Sequence, residues 1–232
     1  MKLQGERLMR DTIKTKDYFL ERVASDTSRI QKFEKTLNNT EPSNERGIRV
    51  GKLHLSKLYW GCSKAAYSMG ADLAEMYSYY LQAISYYKDV CSPADSLYNV
   101  IDFLSVGVLF QKSKSEFLPT LEAIVEKVNS QDGLVCCLLQ YLQNKPLAFQ
   151  QSQLNYFNRL AKSDDKAKIL SSELEQWYQH HKSAYWYNSD KSKNNTYRGY
   201  WCYEIAALSK IFEIDDEQFA SHPYYPYDLA HC

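Results

Sequence analysis

The chain is nearly free of backbone punctuation. It holds eight glycines and six prolines in 232 residues, about half the usual combined share of roughly 12%. A turn-dense sandwich or barrel needs far more. Between the few breaks, apolar residues recur at three- and four-residue steps, the period of a helix. Over 11–38 the stripe is Tyr18, Phe19, Val23, Ile30, Phe33 and Leu37, with Asp11 or Thr12 as candidate cap. A polar breaker at 38–44 ends it. Further helices are predicted over 48–69 and 72–90. Ser92 with Pro93 is expected to cap the next, which runs to about Lys112. Helices over 115–129, 134–143, 153–161, 167–187 and 197–212 follow, Pro119 being tolerated in a first turn. The stretch 214–232 contains Pro223 and Pro226 and reads as irregular. No strand and no fixed-period repeat is evident. The expected fold is all-α: a compact array of about eight to ten helices with an irregular C-terminal tail.

Composition narrows the class. Charged residues at 24% and apolar ones at 44% are ordinary for a soluble globular chain and argue against wholesale disorder. The densest apolar run, Leu134–Leu139, is far short of a bilayer span. Met1–Arg7 is polar and lacks the apolar core of a signal peptide, so a cytoplasmic location is expected. The six cysteines (62, 91, 136, 137, 202 and 232) then read as reduced, small apolar side chains. No CxxC, GxxxxGK[ST], GxGxxG or HExxH occurs, and His180, His181 and His231 lack metal-ligand spacing, so no metal and no cofactor is expected.

The 28 basic and 28 acidic residues balance overall but not locally. Residues 1–60 carry 13 bases and 8 acids, whereas 199–232 carry one base, Lys210, against six acids. A nucleic-acid binder would show a basic footprint; this chain fits a basic protein partner better. Within 72–90, Asp72, Glu75, Tyr79, Gln82, Tyr86 and Asp89 share one helix face that carries no base. Leu73, Met76, Tyr77, Tyr80, Ile84 and Tyr87 form the apolar opposite side. The polar face is either simply solvated or a docking face for a basic partner. Its two tyrosines favour docking, because a solvating face needs no aromatic anchors. Of the 20 tyrosines, most are expected to fill gaps between crossing helices with the phenol tip satisfied.

Arg198-Gly199-Tyr200-Trp201-Cys202-Tyr203-Glu204, the Ile214-Asp215-Asp216 turn and the tail Tyr224-Tyr225-Pro226-Tyr227-Asp228-Leu229 resemble the signature of the PoNi family. These are immunity proteins paired with PoNe polymorphic DNase toxins in bacteria. Arg10-Asp11 and Tyr67-Ser68-Met69-Gly70 resemble the family's N-terminal half more weakly. The resemblance implies an all-α fold, an N-terminal half over 1–130 and a C-terminal half over 131–232 that together form one unit, and a non-enzymatic role in interbacterial competition. The implied partner is a cognate nuclease toxin, a protein, with no direct nucleic acid and no membrane. Monomer and homodimer both remain open. The candidate toxin interface is Asp72, Glu75, Tyr79, Gln82, Tyr86 and Asp89, with Asp164, Asp165, Glu173 and Glu175 as a second acidic group. Arg198, Trp201, Glu204, Asp215, Asp216, Tyr224, Tyr225 and Asp228 read as structural. Glu204 lies on the apolar face of its helix, and a buried carboxylate needs donors. Tyr224, Tyr225, Tyr227 and Arg198 are its expected partners, latching the tail to the helix. Asp215 and Asp216 are expected to cap a short helix over 217–221. Two other functions remain open from the residues alone: a general helical adaptor, and a hydrolase using buried carboxylates, for which no nucleophile–base pair stands out.

The charge distribution makes a direct prediction. The protein should show no appreciable binding to duplex DNA at physiological salt. Sub-micromolar binding with a steep salt slope in a fluorescence titration would contradict it.

Overall fold

The computed structural model describes residues 8–232; Met1–Arg7, including the polar start noted above, lie outside the described residues. Among those described, the regular elements are helical: α1 (Lys16–Asn38), α2 (Glu45–Ser68), α3 (Leu73–Val90), α4 (Leu97–Leu109), α5 (Leu118–Val128), α6 (Gly133–Leu142), α7 (Asn155–Leu160), α8 (Lys166–His180), α9 (Tyr203–Ile211) and α10 (Tyr227–Ala230). Short 3-10 turns cover Gln111–Glu116, Ser189–Lys191 and Glu217–Phe219. None of the helices is long and apolar enough to cross a membrane. The expected all-α array is what forms, although the tail contains two short helical turns.

Chain contacts group the residues into two units. The first is Met1–Val90 with Asn188–Gly199, and the second is Cys91–Tyr187 with Tyr200–Cys232. The expected division at 130/131 falls inside the second unit, in the link between α5 and α6.

In the first unit, α2 packs between α1 and α3. The face of α3 expected to be apolar supplies Met76, Tyr80, Ile84 and Tyr87, all buried, with Ala83 and Val90 beside them. Two serines of α2 let the helices approach. Ser56 Oγ donates to the Ala83 carbonyl at 3.0 Å and Ser63 Oγ to the Met76 carbonyl at 2.9 Å, so each buried hydroxyl is satisfied across the interface. On α1, Phe19 and Ile30 are buried, and between them on the same face lies Asp26, at 0% exposure.

Asp26 is a buried carboxylate held by three guanidinium groups. Arg22 Nη2 reaches Oδ1 at 2.8 Å, Arg29 Nη1 reaches Oδ1 at 3.2 Å, and Arg198 Nη2 reaches Oδ2 at 2.5 Å. Arg22 also donates to the Asn195 carbonyl at 3.0 Å, and Ser68 Oγ donates to the Arg198 carbonyl at 2.9 Å. These bonds fasten segment 188–199 to α1 and α2. The two weaker sequence motifs meet here as well. The backbone N–H groups of Arg10 and Asp11 both donate to the Ser68 carbonyl, and Arg10 Nη1 donates to the Tyr67 and Ala71 carbonyls. Tyr197 Oη donates to the Asp11 carboxylate.

That commitment moves the start of α1. Asp11 accepts from the Ile13 and Lys14 N–H groups and from Tyr197, so it is not the helix cap; Thr15 is, accepting from Tyr18 N at 3.3 Å. Ser92 likewise is not a cap. Its hydroxyl donates to Asp95 in a local turn, and Ser96 caps α4 instead.

The second unit is built around α4, whose residues Val100 and Ile101 and Phe103–Leu109 are all buried, with α6 and α9 packed on it. Asp132 caps α6 through the Leu134 and Val135 N–H groups and also accepts from Ser152 Oγ and Gln153 N, pinning the loop before α7. Besides α1 and α4, which start late, α8 and α9 are shorter than expected. α8 stops at His180 rather than running to Tyr187, because the chain folds back there. Trp186 then stacks on Trp177 at 5.2 Å and Tyr187 on Tyr178 at 4.6 Å between ring centroids. Burying those rings outweighs another two turns of helix. α9 starts at Tyr203 rather than Tyr197 because the side chains of Tyr197 and Arg198 are held in the first unit, on Asp11 and Asp26, and Gly199 has φ 102°.

Gly61 of α2 lets Arg198 pass. A Cβ there would lie 2.2 Å from Arg198 Nε, and the guanidinium is already anchored on Asp26. Gly61→Ala should therefore displace Arg198 and leave Asp26 undercompensated, destabilising the protein by about 3 kcal/mol. Urea unfolding checks this; an unchanged midpoint would mean that Arg198 relocates without loss.

Candidate functional site

The acidic face of α3 lies in the first unit. Asp72, Glu75, Gln82 and Asp89 are exposed on it, as the spacing predicts, while Tyr79 and Tyr86 are half-buried. The tyrosines lean toward α2. Tyr86 stacks on Tyr59 with centroids 5.8 Å apart, and Tyr79 lies 6.4 Å from Tyr59. All three pack against Ile30, Leu55, Leu58 and Cys62. Glu34 of α1 joins them. Its Oε1 accepts from Tyr59 Oη at 2.7 Å and from Tyr86 Oη at 3.4 Å. Burial, and then the Glu34 carboxylate, raise the pKa of both phenols above the usual tyrosine value, so they stay neutral donors. Burial likewise raises the pKa of Tyr79. Among the described residues, Lys52 of α2 reaches this face from another helix and lies 2.6 Å from Asp89. The face is thus a row of acids over a supported aromatic layer. Glu34 was missed in the sequence because it belongs to a different helix. No spacing rule within 72–90 could find it.

The second acidic group does not stay together. Asp164 and Asp165 are exposed at the start of α8, where Asp165 accepts from Lys168 N at 3.0 Å as its N-cap. Glu175 is exposed further along. Glu173 is buried, bound by His180 Nδ1 at 2.8 Å and near Arg159 at 3.9 Å. Adjacent positions around a helix differ by about 100°, which separates Glu173 from Glu175.

The signature residues are largely structural. Trp201 is buried, as are Tyr225 and Asp216. Glu204 is buried as expected, but its partner is Trp177: the indole Nε1 donates to Oε1 at 2.6 Å. The expected tail tyrosines and Arg198 do not fill that role. Trp177 sits one α8 turn from Glu173, so Glu204 binds α9 to α8 rather than binding the tail. The tail is held differently. Cys202 N donates to the Tyr224 carbonyl at 2.8 Å, and Tyr225 Oη donates to Asp216 at 2.5 Å. Tyr224 stacks on Tyr178, while Asp228 is exposed. The short helix is a three-residue 3-10 turn with Asp216 at its N-cap position but without a side-chain cap bond; Asp215, one residue earlier, accepts from Glu217 N at 3.2 Å. Asp216 is turned inward to Tyr225. Among the described residues no cluster of three or more His, Cys, Asp or Glu could hold a metal ion. Cys62 and Cys137 are buried thiols whose pKa burial pushes up to about 12, the opposite of an activated nucleophile.

Glu173 carries a pH signature. Burial raises its pKa above 4.5, against the pull of His180 and Arg159. A carboxyl raised in the folded state favours the fold most when protonated, so its contribution falls as pH rises through 4.5 toward the folded value. Glu173→Gln should remove that loss. Its melting temperature relative to wild type should be higher at neutral pH than at pH values below 4.5. A pH-independent difference would contradict the assignment.

A family model for the PoNe immunity protein (PoNi), N-terminal, matches residues 10–120, and one for PoNe immunity proteins (PoNi), C-terminal, matches residues 130–229. Comparison with curated proteins gives no match. Among solved structures the chain is similar to Protein PA2201 from Pseudomonas aeruginosa, with a TM-score of 0.75 and 16% identity over 98% of this chain and 91% of that one. At that identity the likeness speaks for the fold alone. The family matches cover nearly all of the chain, and with them the hydrolase alternative falls away: the protein belongs to the PoNe immunity protein (PoNi) family, which is not enzymatic.

Proposed function

We propose that this protein neutralises a cognate PoNe nuclease toxin by binding it and covering its basic, DNA-facing surface, with the acidic face of α3 as the principal contact. The observation that carries the reading is the pair of family matches over 10–120 and 130–229, which implies a PoNe toxin as partner. A nuclease must present Lys and Arg to phosphates. An inhibitor that offers carboxylates in the place of phosphates gains association rate and register. Asp72, Glu75 and Asp89 supply them, and Gln82 adds a neutral hydrogen-bonding head. Tyr79 and Tyr86 supply aromatic surface already held by Tyr59 and Glu34, so little side-chain freedom is lost when a partner covers them. Asp164, Asp165 and Glu175 are exposed acids of the second unit that such a partner could also meet, whereas Glu173 is buried and offers it no carboxylate.

The test is the double charge reversal Asp72→Lys with Glu75→Lys. Both side chains are exposed, so the fold should tolerate it at about 1 kcal/mol for bases at a helix N-terminus. Association with catalytically inactivated toxin should slow, its salt dependence should flatten, and cells expressing active toxin should lose protection. Unchanged affinity and protection in a folded variant would show that the α3 face is merely solvated.

A further inference from the structure

Glu34 of α1 reaches across Tyr59 of α2 to Tyr86 of α3, and its Oε1 accepts from both phenols, at 2.7 and 3.4 Å. The Tyr59 and Tyr86 rings are nearly parallel, with an interplanar angle of 14° and centroids 5.8 Å apart. Tyr79 adjoins them, 6.4 Å from Tyr59. Glu34 and the three tyrosines are half-buried, and the rings rest on Ile30, Leu55, Leu58 and Cys62. A carboxylate only accepts hydrogen bonds, so each phenol must point its one proton at Glu34. The phenol oxygens keep lone pairs for other donors. Among the described residues Oε2 of Glu34 has no donor and Glu34 has no base within ion-pair distance.

The protein's own bases do not complete this arrangement. Lys52 of α2 is engaged with Asp89 at 2.6 Å, and Arg29 of α1 with Asp26 at 3.2 Å. Cations lie over rings elsewhere in the first unit, Arg10 over Tyr67 at 4.5 Å and Lys64 over Trp60 at 5.2 Å. Among the described residues none lies over Tyr59, Tyr79 or Tyr86. A phenol that donates to a carboxylate is polarised toward its oxygen, which strengthens both that oxygen as an acceptor and the ring as a partner for a cation. A guanidinium matches the whole set. It is planar, so it can lie on a tyrosine face while its N–H groups reach a carboxylate at the edge. An ammonium can meet the carboxylate but has no plane to stack.

We propose that Glu34, framed by Tyr59 and Tyr86, receives one arginine side chain of the toxin and sets the preference for arginine over lysine at that point of the interface. This rests on the reading above that the α3 face meets a basic nuclease, and it assigns the holding contact to a residue of α1 rather than to the exposed acids of α3. Asp72 and Glu75 draw the partner in, and Glu34 retains it.

The experiment follows association and dissociation of catalytically inactivated cognate toxin, with melting curves to verify folding. Glu34→Gln keeps an acceptor for the two phenols and removes the charge. Glu21→Gln, at an exposed acid 13 positions earlier on α1, changes net charge equally. Glu34→Gln should speed dissociation about tenfold or more, Glu75→Gln should mainly slow association, and Glu21→Gln should do little to either. Each arginine of the toxin is also changed singly to lysine. One such change should weaken binding to the wild-type protein about tenfold and have little further effect on Glu34→Gln, the mark of a coupled pair. Tyr86→Leu, which removes one ring and no charge, should abolish the preference for arginine at that position and serves if Glu34→Gln does not fold. If the folded Glu34→Gln dissociates no faster than Glu21→Gln while Asp72→Lys with Glu75→Lys still weakens binding, the arginine site is overturned and the α3 reading stands. Coupling of Glu34 to a toxin lysine, or to no toxin arginine, overturns the guanidinium assignment. If neither the double reversal nor Glu34→Gln alters binding, the α3 reading fails and the arginine site with it.

Discussion

A single buried charge organises the first unit. Asp26 lies at 0% exposure on the face of α1 that also buries Phe19 and Ile30. A carboxylate cannot stay ionised in such a place without cations and donors. Arg22 and Arg29 come from its own helix, and Arg198 arrives from 172 positions away in sequence. Each consequence follows from that need. Segment 188–199 must return to α1 after the chain has already entered the second unit. Gly61 must lack a side chain so that Arg198 can cross α2. Asn195, Thr196 and Tyr197 are then held by neighbouring bonds, and Asp11 becomes the acceptor for Tyr197. Arg198, which looks like part of a continuous C-terminal motif, thus has its function in a different unit from the Tyr200–Glu204 residues that follow it.

The high aromatic content has a comparable logic. Around Trp177 and Tyr178, a set of rings from α8, from the turn after it and from the tail stack on one another: Trp186, Tyr187, Tyr200 and Tyr224. They replace the glycine- and proline-rich turns that the chain lacks. A helix that would otherwise continue is ended by the gain from stacking, not by a breaker residue. In the first unit Tyr59, Tyr79 and Tyr86 do similar work, but they lie under exposed acids and stay partly accessible. The same residue type therefore seals one unit and supports a candidate binding face on the other.

Acidic residues divide into two populations with opposite physics. Asp26, Asp132, Glu173, Glu204 and Asp216 are buried, and each is met by cations or donors: guanidinium groups, backbone N–H groups, an imidazole, an indole or a phenol. They hold elements together. Asp72, Glu75, Asp164, Asp165 and Asp215 are exposed and project field into solvent. The first set fixes where the second stands, and on the reading proposed above the second set faces the bases of the toxin.

The sequence by itself determined the helical class, the family and the two faces of α3. These follow from local rules: few glycines and prolines, a helical period, and motifs read in chain order. It also placed Glu204 in the core, because an acid on an apolar stripe has nowhere else to go. It could not name that acid's partner, since Trp177 lies 27 positions away and nothing local links them. Helix ends at His180 and Tyr203 were misjudged for the same reason: stacking and a buried ion pair, both long-range, overrode propensity. The grouping of Asn188–Gly199 with the N-terminal helices and the union of Glu34 with the α3 tyrosines were decided only by tertiary structure. In each case residues far apart in sequence are brought together by burial of charge or aromatic surface, which has no local period to read.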